Sequence, residues 1–339
     1  MKKIIRLSTV LVLVICMTCV FSVSYTAATV SRSYKTTSSI SDKFSGDSDS
    51  YTAYEGMAVG DRYCYSVKIK KDSKSYGQYA KLLRTDLKTN KTITLKVSGS
   101  SKYIDTKKNR FKNYLLGHAN DVVSTTLDSK YTTLFVACGK DAKVKSPYDI
   151  VQLRVNNSAK TPTVEFVKGY KVTDKSFNVY GIGISKKDLK NNKLDFILKN
   201  GGKTCYKVST SLSNYSGTKV INSSNVTTKN SCYLNLGSYS NYNIQGIGVN
   251  SGVLYVPMTK NNHSVIIKYN LNNFSFKSSS PKTYSSSDVI SIRSKTYSQF
   301  EIESCGISNS TGRLYFNANR NNSHDMIGYV TNGNGQAVK

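Results

Sequence analysis

No tryptophan occurs in the 339 residues, there are only four prolines and three histidines, and acids number 20 against 48 Lys and Arg. Each shortage excludes something. Without Trp, an aromatic sugar platform falls to the 25 tyrosines, whose rings stack while their hydroxyls hydrogen-bond. Tyr239, Tyr242 and Tyr54 are the cluster that would serve, although Tyr is equally a favoured strand residue. His118, His263 and His324 stand apart with no HxxxH or HExxH, so no metal site and no cofactor is expected. There is no GxSxG elbow and no phosphate-cradling glycine loop.

Seven cysteines are present, and Cys16 and Cys19 fall in an apolar N-terminal run. The other five, Cys64, Cys138, Cys205, Cys232 and Cys305, are odd in number, irregularly spaced and without a CxxC, which is no disulfide framework. Buried thiols are expected, with a single disulfide as the alternative. The N-terminus reads Met1, Lys2, Lys3, then Arg6 and an apolar run from Leu7 to Val23 that ends in small residues near Thr26, Ala27 and Ala28. That is the pattern of a secretory signal peptide over residues 1–28. Ile15 and Thr18 precede the two cysteines, where a lipoprotein site needs a small residue, so release to the outside, with association to the cell wall, is expected.

The formal charge is +28, or about +25 once the leader is removed. A secreted chain this basic is drawn to anionic surfaces. Cell-wall polyanions such as teichoic acid, or anionic lipid, are the expected partners, and nucleic acid is not. Scattered Lys and Arg also keep β edges from pairing, which needs no partner at all.

What the sequence does contain is a repeat. The runs YEGMAV (Tyr54 to Val59), ANDVVS (Ala119 to Ser124), VYGIGI (Val179 to Ile184), IQGIGV (Ile244 to Val249) and IESCGI (Ile302 to Ile307) can be laid over one another. Glu55, Asn120, Tyr180, Gln245 and Glu303 are then equivalent, at separations of 65, 60, 65 and 58 residues. A polar turn and a β-rich run follow each: RYCYSV, YTTLFVA, KLDFIL, VLYVPM and RLYFNA. A third strand follows that, and in places a fourth, such as KTITLKV and TVEFVKG. Short antiparallel strands in five copies, with no long helical pattern between them, predict an all-β, five-bladed β-propeller of three- to four-stranded blades over residues 51–339. The small residues Gly56, Ala58, Gly181, Gly183, Gly246, Gly248 and Gly306 fall where inner strands crowd the axis. A β-sandwich has the same ingredients but gives no reason for five copies. Residues 29–50, rich in Ser, Thr and Lys, are either a disordered leader or a strand that returns to close the ring. Long loops at 98–114, 211–231 and 275–289 stretch the period.

The polar or large residues at the blade starts are expected to gather at one mouth of the central channel. They are Glu55, Asn120 with Asp121, Tyr180, Gln245 and Glu303, with His118 on the same rim, and convergent polar groups in a concavity suggest a ligand site. Binding a sugar or cation is one use of such a set. Glycoside hydrolysis by Glu55, Asp121 and Glu303 is the alternative, with one carboxylate as acid and another as base or nucleophile. The same groups could also only satisfy backbone and water at the channel end.

The runs LGHANDVVSTTLDSKYTTLFVACG (Leu116 to Gly139), YNIQGIGVNSGVLYVPM (Tyr242 to Met258) and FEIESCGISNSTGRLYFNA (Phe300 to Ala318) resemble blade starts of helveticin J-like proteins, the large class III bacteriocins. They are also similar to propeller domains of phage receptor-binding proteins that recognise wall teichoic acid. The resemblance covers about Tyr54 to Val330. It implies a secreted protein that engages the envelope of Gram-positive cells, with bacteriocin activity, and it carries over His118, Asn120, Gln245, Gly246, Glu303 and Ser304 as the shared polar set. This chain departs from the family in its leader, its more basic balance and its insertions.

Overall fold

The computed structural model describes residues 27–339 apart from 72–75, 128–129, 140–145, 173–177, 192, 212–216, 222–229, 277–279, 321–323, 333, 335 and 337–339. The expected signal peptide therefore lies outside the described residues, save for its last two. No α-helix occurs among the described residues, and none is long and apolar enough to cross a membrane.

Most of the strands pair in five consecutive antiparallel groups of four. The first holds Ala53–Val59, Tyr63–Ile69, Ala80–Asp86 and Lys91–Thr94. The second holds Asp121–Thr126, Tyr131–Ala137, Ile150–Asn156 and Thr163–Val172. The third holds Gly181–Asp188, Lys193–Lys199, Thr204–Ser211 and Ser231–Leu234. The fourth runs from Gly248–Asn250 through Val253–Lys260 and His263–Asn270 to Asp288–Arg293. The fifth holds Phe300–Ile307, Leu314–Arg320 and Met326–Thr331, and its fourth strand is the N-terminal Thr29–Ser39. The first strand of each group lies against the first strand of the next, and that of the fifth lies against that of the first. Sheets arranged in this cycle around an axis are a propeller-type fold.

The N-terminal strand does more than fill a gap. Its first half, Thr29 to Arg32, pairs in parallel with Val289 to Ile292 of the fourth group, and its second half, Ser33 to Ser39, pairs antiparallel with Thr331 back to Met326. One strand thus covers two edges that would otherwise be open to aggregation. Tyr34 fixes it, its ring centroid 5.0 Å from that of Phe300 and 5.9 Å from that of Phe316. The segment after it is held by charge. Asp47, its side chain buried, sits between Lys81 and Arg110, and Asp49 pairs with Lys70 at 2.7 Å and with Arg110. The Lys70 bond is the main reason the Asp49 carboxyl is held down at about 2.

Crowding at the axis explains the small residues of the inner strands. A Cβ on Gly56 would lie 2.5 Å from the Asp121 backbone, and one on Gly183 would lie 2.3 Å from the Val249 side chain. Backbone cannot yield as a flexible side chain can, so Gly56→Ala is expected to lower the thermal midpoint by several degrees, about 2 kcal/mol. Differential scanning calorimetry checks this.

The five cysteines described are buried, and none is in a disulfide. Burial pushes the Cys205 thiol up to about 12. A thiol so placed is inert, because the reactive species is the thiolate and the reagent must reach it. An aromatic disulfide reagent is expected to modify these five only after denaturant is added, which a colorimetric thiol count measures.

Candidate binding site at the channel mouth

Glu55, Gln245 and Glu303 stand where an inner strand departs from regular pairing, and Asn120 and Tyr180 stand just before theirs begins. In the first group the register jumps between Tyr54 and Met57, leaving Glu55 and Gly56 in a bulge, and in the fifth it jumps between Ile302 and Ser304, leaving Glu303 in one. Bulges re-aim side chains and are common next to functional sites. Asn317 bridges the two, donating from Nδ2 to the Glu55 carbonyl at 2.5 Å and accepting the Ser304 N–H at 3.0 Å. In the fourth group the ladder breaks from Gln245 to Ile247, between Asn243–Ile244 and Gly248–Asn250, so the expected continuous strand is two short pieces.

Before the second group the chain makes a tight left-handed turn, with φ +56° at Gly117 and +52° at Ala119. The Cys138 carbonyl accepts the His118 N–H at 2.6 Å, and the Ala119 carbonyl accepts the Gly56 N–H at 2.9 Å. A non-glycine residue held at positive φ is strained and persists because its surroundings fix it. Here the strain presents His118 and Asn120 at the rim. Gly139, also at positive φ, leaves room for the Asn120 amide, since a Cβ there would lie 1.9 Å from Asn120 Oδ1.

His118, Asn120, Tyr180 and Gln245 line one cleft of about 580 Å³, together with Tyr242, which the sequence marked as a possible sugar platform, and the exposed Lys203. Tyr239 stands beside Tyr242, ring centroids 5.3 Å apart. Tyr242 is fixed by its hydroxyl, 2.7 Å from His263 Nδ1. Tyr54 belongs to a different environment: it is fully buried, with its hydroxyl on Ser66 Oγ at 3.0 Å.

The glutamates do not line this cleft; they stand behind it. Glu55 Oε1 lies 3.3 Å from His118 Nε2, which also meets the Tyr76 hydroxyl at 2.5 Å. Gln245 Nε2 donates to Glu301 Oε1. Glu303 is buried, and desolvation, then the neighbouring Glu301 and Glu55, pushes its carboxyl well above the usual range. Glu301 is raised by the same causes, burial first and Glu55 second. Glu301 is the member that the repeat alignment missed. Its signal was available in the run FEIES, since residues two apart in a strand share a face.

Asp121 is placed elsewhere, on the axis and fully buried. Its Oδ2 accepts the N–H groups of Ile182 and Ile247, each at 2.9 Å, from the third and fourth groups. Its Oδ1 accepts the Val122 N–H at 2.9 Å and the Ser304 hydroxyl at 2.7 Å, and Ser304 Oγ in turn reaches the Met57 carbonyl at 3.0 Å. With both oxygens engaged and no exposure, Asp121 ties the inner strands together and offers nothing to a ligand. Gly246 is a glycine for the same reason, since its Cβ would lie 2.6 Å from Asp121 Oδ1.

Fold and site together define an all-β, propeller-type protein with a polar cleft at one channel mouth. No family model matches the sequence, and no curated protein is similar to it. Among solved structures, the chain is similar to a GH43_1 enzyme from Xanthomonas citri complexed with xylotriose, at 8% identity and TM-score 0.45, over 88% of this chain and 92% of that one. It is similar to the Cellvibrio cellulosa α-L-arabinanase at 9% and 0.42, over 83% and 93%. The Myxococcus xanthus glutaminyl cyclase matches at 9% and 0.42, over 90% and 98%. Likenesses this distant carry no activity across to this chain.

Proposed function

We propose that the protein is a secreted five-bladed propeller that binds a glycan of the cell envelope in the cleft of His118, Asn120, Tyr180, Gln245 and Tyr242. The observation that carries this reading is the placement of the acids. Glu55 and Glu301 hold His118 and Gln245 from behind, so that the imidazole, the amides and the tyrosines front the cleft as fixed hydrogen-bonding and stacking groups. The imidazole, amides and tyrosines that front the cleft suit the hydroxyls and ring faces of an uncharged sugar segment. Export and action on Gram-positive envelopes belong to the same proposal and rest on the leader and the helveticin J-like runs.

The test is calorimetric titration with uncharged wall-derived oligosaccharides. Gln245→Ala is expected to weaken binding about tenfold or more, as loss of an oriented hydrogen bond to ligand does. Unchanged affinity in Gln245→Ala, or no binding by the unmodified protein, would sink the assignment. Glycoside hydrolysis with Glu303 as acid and Glu55 as its partner is the second reading, and it needs these two buried carboxylates, which stand behind the cleft, to reach the substrate. It requires that Glu303→Gln abolish release of reducing sugar from a substrate that the protein still binds.

A further inference from the structure

The inner strands all run the same way, so the turns that follow them lie together at the opposite end of the axis. That end carries its own opening of about 450 Å³, lined by residues of all five inner strands and by Asp61, Arg62 and Lys187. The hairpin between Gly181–Asp188 and Lys193–Lys199 stands at its edge. This hairpin has an unusual composition. Leu189, at its tip, is 51% exposed, and only one other large apolar residue among those described, Ile93 at 38%, is so uncovered. Lys186, Lys187, Lys190 and Lys193 flank the tip, all exposed.

Two acids, Asp188 and Asp195, stand among these lysines and offset part of their charge, which leaves the hairpin basic. Asp188 accepts from the Asn191 backbone at 3.1 Å and from its side-chain amide at 2.9 Å. Those two bonds are the main reason its carboxyl is held below the usual range, and the charges of Lys186 and Lys193 add to them. Asp195 is engaged by Lys207 at 3.1 Å and by the Ser209 hydroxyl at 2.5 Å. Ile93 follows the turn after Ala80–Asp86, which opens on the same end, and Lys91 leads into it. Lysines around an uncovered leucine at a hairpin tip match an interface with anionic head groups outside and hydrocarbon beneath.

We propose that this end of the propeller docks on an anionic lipid bilayer, with Leu189 entering the head-group boundary and Lys186, Lys187, Lys190 and Lys193 meeting the lipid phosphates. A soluble polyanion would need the lysines but not the leucine. That difference makes the proposal testable, and it is independent of the glycan cleft at the other mouth.

The experiment uses the full mature chain and vesicles of phosphatidylcholine, either alone or with about one-third phosphatidylglycerol. Because the chain has no tryptophan, Leu189→Trp makes residue 189 the sole indole reporter. Its emission is expected to shift to the blue with anionic vesicles and to stay unchanged with neutral ones. In sedimentation, Leu189→Ser is expected to weaken vesicle binding about fivefold and Lys187→Gln by a similar factor. Leu189→Ser should leave retention on immobilised polyphosphate and the affinity for wall sugars unchanged. Absence of vesicle binding, binding without a blue shift, or binding indifferent to Leu189→Ser would each overturn the proposal. The last result together with intact polyphosphate retention would assign the face to a soluble polyanion instead.

Discussion

Asp121→Ala is expected to leave little folded protein at ordinary temperature. The substitution removes the acceptor for the N–H groups of Ile182, Ile247 and Val122 and for the Ser304 hydroxyl, all in the dry centre of the ring. A buried donor left unsatisfied costs about 1–3 kcal/mol, so the loss is roughly 5 kcal/mol or more against a total stability of about 5–15. Asp121→Asn keeps the shape and one acceptor oxygen and is expected to cost about 2 kcal/mol. Urea unfolding followed by circular dichroism measures both. A loss below about 1 kcal/mol in Asp121→Ala would show that the axis is held by strand packing alone.

The same residue gives the stability a pH dependence. Burial pushes the Asp121 carboxyl from its ordinary 3.8 up to about 7, against the pull of the donors aimed at it. A folded chain that holds the proton more tightly than the unfolded chain gains stability at low pH. The contribution is fully present below about pH 4 and is lost as the pH rises through about 7. Glu301 and Glu303 are raised by burial and act with the same sign. The urea midpoint is therefore expected to fall between pH 4 and 7, and Asp121→Asn should make that slope shallower.

Lys68→Ala is the second large expected effect. Lys68 is fully buried, and its ammonium meets Asp42 and, at 2.5 Å, Asp325. Asp42 belongs to the segment that follows the closing strand, and Asp325 lies just before the strand with which it pairs. Removing the cation leaves the two carboxylates facing each other without the charge that bridged them, which costs about 3–5 kcal/mol. The physical consequence is local as well as global, because the N-terminal segment is clasped there. Limited proteolysis is expected to cut Lys68→Ala within residues 29–50 before any other region. Adding Asp325→Asn to Lys68→Met should restore part of the thermal midpoint, since the repulsion is then removed at its source. Equal resistance of Lys68→Ala and the unmodified protein to protease would show that strand pairing alone closes the ring.

The repeat was legible because it is local. Alternation of apolar residues, polar turns and the small residues of the inner strands are written within about ten residues of one another. They give strand, hairpin and blade start without reference to the rest of the chain. The mouth was legible to the same depth: His118, Asn120, Tyr180 and Gln245 do share a cleft because equivalent positions in a cyclic fold come to one end of its axis. Glu55, Glu303 and Asp121 share the residue types of a ligand set, and sequence spacing cannot say which of these faces a ligand and which faces the interior.

That division is tertiary. Asp121 finds its partners 61, 126 and 183 residues away, at Ile182, Ile247 and Ser304. Bulges at Glu55 and Glu303 shift by one residue the face that a regular strand would present. Residues 29–39, equally readable as a leader or a strand, became a strand because two open edges awaited them, one parallel and one antiparallel. The sequence by itself determined the strands, their five-fold recurrence and the polar character of the blade starts, because periodicity and side-chain volume act between near neighbours. Closure of the ring, the carboxylate at its centre and the setting of the glutamates behind the cleft were decided only by the tertiary structure, because each depends on which distant strand supplies the missing hydrogen bond.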